Sequence, residues 1–147
     1  MKNGFRLEQV LNLRKEVERQ RKLEFADAKR QYEHAVDHLR SEEENVALLN
    51  NELHSRQSEG ISLAELQMYS HYFQRKHGEI KQQRTQVDCL GEAVTEKRDC
   101  LMEASRDKKV LETLKEKKLA ELKRQRAERE QAFIDELSAQ NGGEKKL

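Results

Sequence analysis

From Phe25 onward the apolar residues fall at alternating spacings of three and four: Phe25, Ala28, Tyr32, Ala35, Leu39, Glu42, Val46, Leu49, Leu53. Eight of these nine positions are apolar. A repeat averaging 3.5 residues is the signature of a left-handed coiled coil, and a disordered chain has no reason to keep it. Upstream the pattern blurs. Leu7, Val10, Leu11, Leu13 and Val17 have helical spacing, but residues 14–24 are mostly charged. A second stripe runs Leu66, Tyr69, Phe73, Lys76, Ile80, Gln83, Val87, Leu90, Val94, Lys97, Leu101, Ala104, Lys108, Leu111, apolar at ten of fourteen positions. It fades through Leu114 and Leu122, crosses the charged stretch 123–131, and closes with Phe133, Ile134 and Leu137.

Between the stripes lies Ser58-Glu59-Gly60-Ile61-Ser62. Glycine tolerates the left-handed backbone that ends a helix. Ser62 with Glu65 forms a capping box, and Ile61 with Leu66 suits the accompanying hydrophobic staple. A second such box, Ser41 with Glu44, sits inside the unbroken first stripe and reads as a chance match. A short turn between two helices makes them antiparallel neighbours. The prediction is therefore all-α: two long helices in an antiparallel coiled-coil hairpin, the second longer. Helix one is expected over about 5–57, the turn over 58–61, helix two over about 62–140, and a disordered tail over 141–147. Folding about residue 60 sets residue i opposite roughly residue 120 − i, leaving helix two some 20 residues of overhang. Lys76, Gln83, Lys97 and Lys108 lie on the seam, where polar residues cost stability and fix register. Gly78 and Gly91 each weaken a helix interior by about 1 kcal/mol relative to alanine.

Composition agrees with a single narrow buried stripe. Charged residues are 39% of the chain and the hydrophobic set 35%, with no proline to interrupt a helix. The 29 basic and 28 acidic residues nearly cancel, which argues against whole-chain attraction to nucleic acid. No apolar run reaches the roughly 20 residues of a membrane span, so no direct membrane insertion is expected. The charged N-terminus is unlike a secretory signal, and the cytoplasm is the default compartment.

Candidate chemistry is thin. Cys89 and Cys100 lie about 16 Å apart along one helix, too far for a mutual disulfide. His34 and His38 share an i, i+4 face beside Asp37, but a metal site usually shows more ligands than this. Carboxylates pair with bases at helical spacing, as expected of solvated helix faces. No cofactor, metal or catalytic residue is assigned, and an enzyme is not expected. Two features stand apart. One is the aromatic set Tyr69, Tyr72 and Phe73 just after the turn, with Tyr72 and Leu63 expected to be exposed; aromatics of this kind mark partner-binding sites. The other is the end holding both termini, where the seam thins among Arg14, Lys15, Arg19, Arg21, Lys118, Arg124 and Arg126. The window 108–129 holds nine Lys or Arg against four Glu, without the interleaved aromatics of nucleic-acid binding.

In order along the chain, Phe5-Arg6-Leu7 with Val10-Leu11 and Leu13-Arg14 resembles the start of the flagellar type III export family FliJ. So do Ser62-Leu63-Ala64-Glu65-Leu66-Gln67 with Tyr69 and Tyr72. Lys109-Val110-Leu111-Glu112, Leu114-Lys115-Glu116-Lys117 and Asp135-Glu136-Leu137 match the family's C-terminal half. The resemblance spans about residues 5–137. It implies a non-enzymatic cytoplasmic stalk at the inner membrane's cytoplasmic face, similar to the two-helix part of the rotary ATP synthase gamma subunit. Implied partners are the hexameric flagellar export ATPase, the cytoplasmic linker of the export gate membrane protein, and export chaperones. The termini end would enter the ATPase ring, with Phe5, Leu7, Leu11, Arg14, Lys115 and Lys118 as contacts. Tyr69, Tyr72 and Phe73 would serve the gate or chaperones, whereas the more polar Lys76, Glu79 and Gln83 are not carried over. Two alternatives stay open: the equivalent stalk of a virulence secretion system, and a structural coiled coil that homodimerises.

Overall fold

The computed structural model describes the backbone of residues 2–145 and the side chains of residues 7–143. Helix α1 is Lys2–Glu59 and helix α2 is Leu63–Lys145, of 58 and 83 residues. The all-α class with two antiparallel helices, the second longer, is what the chain adopts. The turn is confined to Gly60, Ile61 and Ser62. Gly60 has φ 100°, the left-handed conformation expected at this position. The Ser62 hydroxyl oxygen accepts from the Glu65 amide at 3.2 Å, and the Ser62 carbonyl accepts from the Leu66 amide at 3.1 Å. These bonds satisfy amides that a helix start otherwise leaves without partners. Ser41 lies in uninterrupted helix, so its box does not act as a cap. At the far end, α2 continues past residue 140 to Lys145, where the sequence suggested a disordered tail. Gly142 and Gly143 keep negative φ there, and without proline nothing removes the helical hydrogen bonds.

The chain divides into two compact units. The unit Arg19–Glu103 is built around the turn. All nine α1 stripe positions from Phe25 to Leu53 are partly buried, and on α2 every stripe position from Leu66 to Leu101 is partly buried or buried. Ile80 is the most enclosed, at 7% exposure. Partial burial is the physical limit here, because each helix has one neighbour and a knob is covered from one side only. The polar seam positions are matched across the pair. Lys76 Nζ donates to Glu42 Oε2 at 2.8 Å, and Lys97 lies 3.8 Å from Glu24. These pairs lie close to the expected facing of i with 120 − i. Gln83 differs, since its side-chain oxygen is buried without a hydrogen-bond partner. At Gly91 an added Cβ would stand 3.3 Å from the Tyr32 ring, so the missing side chain is space that the tyrosine occupies.

The second unit joins Met1–Glu18 to Ala104–Leu147. Here the expectation of a thinning seam needs correction. The three-four spacing continues backwards from Phe25 through Arg21, Glu18, Arg14, Leu11 and Leu7, partly in charged residues. Leu11, at 2% exposure, is the most enclosed side chain described, and Ala104 and Glu18 are each at 7%. Lys108 Nζ donates to Glu18 Oε1 at 3.0 Å. Lys115 and Glu8 approach to 2.6 Å, and Arg14 and Asp107 to 3.7 Å. A long lysine stem covers apolar surface while its ammonium reaches a carboxylate, so charged residues extend the seam that apolar ones began. The seam ends later than the sequence suggested. From residue 119 to residue 143 every side chain is exposed.

Candidate partner-binding surfaces

In the turn unit, the first helical turns of α2 bring three aromatics together. Tyr69 stacks on Phe73 with ring centroids 6.5 Å apart, and Tyr72 meets Phe73 edge-on at 6.1 Å. Spacings of three and four put these rings on one side of a helix. Tyr72 was expected to be exposed; it is half-buried, because Phe73 packs its edge while the Arg75 guanidinium and Lys76 ammonium lie 5.6 and 5.8 Å from its ring centre. Cations over an aromatic face are attracted by its negative π-cloud. An open groove beside the rings is lined by Leu49, Arg56, Glu65, Met68, Tyr69 and Tyr72. Leu48, Leu63 and Met68 stand 67%, 71% and 72% exposed in the same unit. Leu63 is thus exposed as expected. Apolar side chains this open are the raw material of a docking surface.

In the unit holding the termini, the six expected contacts have different fates. Leu7 is half-buried, and the side chain of Phe5 lies outside the described residues. Leu11 is enclosed within the helix pair and presents nothing outward. Arg14 is 44% exposed beside Asp107. Lys115 is engaged with Glu8, and Lys118 is half-buried at the end of the paired stretch. Arg14 and Lys118 therefore offer charge outward more freely than Lys115.

The cross-helix pairs leave an electrostatic imprint. The Glu8 carboxyl is held below its ordinary 4.5 chiefly by its hydrogen bond from Lys115, and Glu42 likewise by Lys76. Glu24 is lowered chiefly by Arg21 on its own helix, with Lys97 adding attraction from the other. Lys76 is raised chiefly by Glu42 and then Glu79, and Lys108 chiefly by Glu18. Glu8, Glu18 and Glu24 are the residues that reading the sequence missed. Their signal was present: each lies within about two helical turns of the position facing a seam lysine.

His34 and His38 are both exposed, and no group of three or more metal-ligating side chains occurs among the described residues. Cys89 is exposed and Cys100 half-buried, both as free thiols. A shallow groove lined by Tyr32, Gly91, Asp88, Glu92, Glu96 and Asp99 is acidic and open to solvent. Among the described residues, no helix is long and apolar enough to cross a membrane.

A family description, Flagellar FliJ protein, matches residues 1–147, the whole chain. The chain belongs to this family. Membership carries a role in the flagellar export apparatus and agrees with a fold made of paired long helices. Comparison with curated proteins and with solved structures gives no significant match. The family match meets the resemblance seen in the motifs at residues 5–14, 62–72 and 109–137.

Proposed function

We propose that the chain is a non-enzymatic stalk and adaptor of the flagellar export apparatus. It inserts the unit containing both termini into the ring of the export ATPase and offers the aromatic surface of the turn unit to the export gate and export chaperones. It works in the cytoplasm, peripheral to the inner membrane, and needs no cofactor. One observation carries the reading: a full-length match to the flagellar FliJ family on a chain whose chemistry is confined to surfaces. The exposed Arg14–Asp107 pair supports the ring contact, because such a pair exchanges at little cost where an apolar seam would hold fast, and Lys118 adds a cation at the end of the paired stretch. The half-buried Tyr69, Tyr72 and Phe73 beside exposed Leu63 and Met68 support the second contact, since amphipathic rings are favoured at interfaces. The flagellar description favours this apparatus over a virulence counterpart.

The test mixes the chain with the export ATPase and nucleotide. Stimulated hydrolysis and filled ring centres in electron micrographs are expected; no stimulation and empty rings would overturn the proposal. Arg14→Glu and Lys118→Glu are each expected to reduce the stimulation. Unchanged stimulation in both would move the contact elsewhere.

A further inference from the structure

Beyond residue 118 of α2, no face of the helix is covered among the described residues, and one of those faces is apolar. Leu119, Leu122, Arg126, Glu130, Phe133 and Leu137 recur at spacings of three and four, so they lie along a single stripe, with Ile134 on its flank. The apolar members are open to water: Leu119 at 56%, Leu122 at 39%, Phe133 at 62%, Ile134 at 54% and Leu137 at 43% exposure. Neighbouring polar residues off this stripe are used within the helix. Arg124 pairs with Glu121 at 2.6 Å and reaches Glu128 at 3.9 Å, and Gln131 bonds Asp135 at 3.0 Å. Arg126 and Glu130, at the centre of the stripe, take part in no ion pair among the described residues.

The stripe and its flank largely match themselves. Turned end for end about position 128, they set Leu119 against Leu137, Leu122 against Ile134, and Arg126 against Glu130, each match made twice, while Phe133 falls opposite Lys123, whose stem can lie along the ring. A parallel arrangement would instead oppose Arg126 to Arg126 and Glu130 to Glu130. We propose that residues 119–137 of α2 pair antiparallel with the same stretch of a second copy of this chain. The two Arg126–Glu130 contacts set the register and the leucine and isoleucine contacts exclude water. Such an interface is isologous, with one two-fold axis, and closes as a dimer without forming fibres. At 1.5 Å per residue the paired stretch is about 27 Å long. Two and a half heptads on each chain make the dimer weak and concentration-dependent. This surface lies in the unit assigned above to ring entry, so the dimer is the form the free chain takes and ring entry displaces it.

The test is sedimentation of the full chain alone, from low micromolar to near-millimolar concentration. Because the ATPase is absent, failure here says nothing against the stalk reading. The wild-type chain is expected to shift from monomer to dimer across this range. Arg126→Glu and Glu130→Arg each put like charges opposite one another twice, and each is expected to weaken dimerisation by about tenfold or more. An equal mixture of the two variants again faces opposite charges at every contact and is expected to recover wild-type association. Circular dichroism of each variant verifies that α2 stays helical. A wild-type chain that remains monomeric overturns the proposal, as does a mixture that fails to recover. Single reversals without effect do so as well, and this is the result a parallel pairing would give.

Discussion

The turn unit and the unit holding the termini solve one packing problem with different materials. In the first, residues 25–53 and 66–101 carry a nearly continuous apolar stripe, interrupted at Glu42, Lys76, Gln83 and Lys97. In the second, the α1 seam runs from two leucines, Leu7 and Leu11, into two charged residues, Arg14 and Glu18, and its most enclosed members are Leu11 and, two turns on, a glutamate paired to lysine. The difference shows that seam position and seam polarity are separate properties. Spacing decides which residues face the other helix, and the residues found there decide whether they are held by dispersion or by charge. A helix pair built from the second kind is less tolerant of losing one partner, because a carboxylate shielded from water needs its cation.

That comparison breaks most sharply at Leu11. Leu11→Ala removes the most enclosed side chain described and is expected to cost about 2–4 kcal/mol in chemical denaturation. Leu53→Ala, at a half-buried position, should cost clearly less. Equal costs would refute the claim that the termini unit has the tighter single contact. Next comes the charged seam. Lys108→Ala removes a cation from beside the shielded Glu18 carboxylate and is expected to lower the thermal midpoint by several degrees, whereas Arg84→Ala, which loosens an exposed pair with Glu43, should hardly move it. Replacing Glu18 and Lys108 together by leucine is expected to restore or raise the midpoint while loosening register.

Glycines sharpen the turn half of the comparison. Gly60→Ala forces a side chain into positive φ and is expected to cost about 1–2 kcal/mol. Gly78→Ala meets open space on a helix and should stabilise by about 1 kcal/mol. Gly91→Ala should gain less than Gly78→Ala, because the Tyr32 ring must move to admit the new methyl group. Calorimetric midpoints of the three variants give the signs directly.

The smallest effect is the pH profile. Glu8, Glu24 and Glu42 have lowered folded values, so their contribution is complete above the ordinary 4.5 and is lost as pH falls through those lowered values. Lys76 and Lys108 have raised folded values, so theirs is complete below the ordinary 10.5 and is lost as pH rises through the raised values. The thermal midpoint should be level between these limits and decline outside both, more shallowly at high salt. A midpoint that climbs on acidification would contradict the cross-helix pairing.

Much of this was legible beforehand. The three-four spacing named the seam positions of the turn unit from Phe25 to Leu53 and from Leu66 to Leu101, and Gly60 with Ser62 located the reversal, because both rest on local rules of helix geometry and capping. The charged seam was not legible, since a lysine at a seam position and a lysine on a solvated face look alike until the opposite helix is placed. Tyr72 was misjudged for a related reason: helical position put it off the seam, but Phe73 and two nearby cations enclose it.

By itself, then, the order of residues determined that the chain forms two helices, where they reverse, which stripe each turns inward and, through its motifs, the family. Tertiary structure decided which charges are structural and which remain available. Glu18 and Lys108 are matched to each other across the pair, whereas Arg126 and Glu130 lie where no opposing helix covers them. The physical reason is that helix propensity and periodicity act over one or two turns of a single segment. The worth of a charge depends instead on what stands across from it, and that is set by the docking of segments ninety residues apart in sequence.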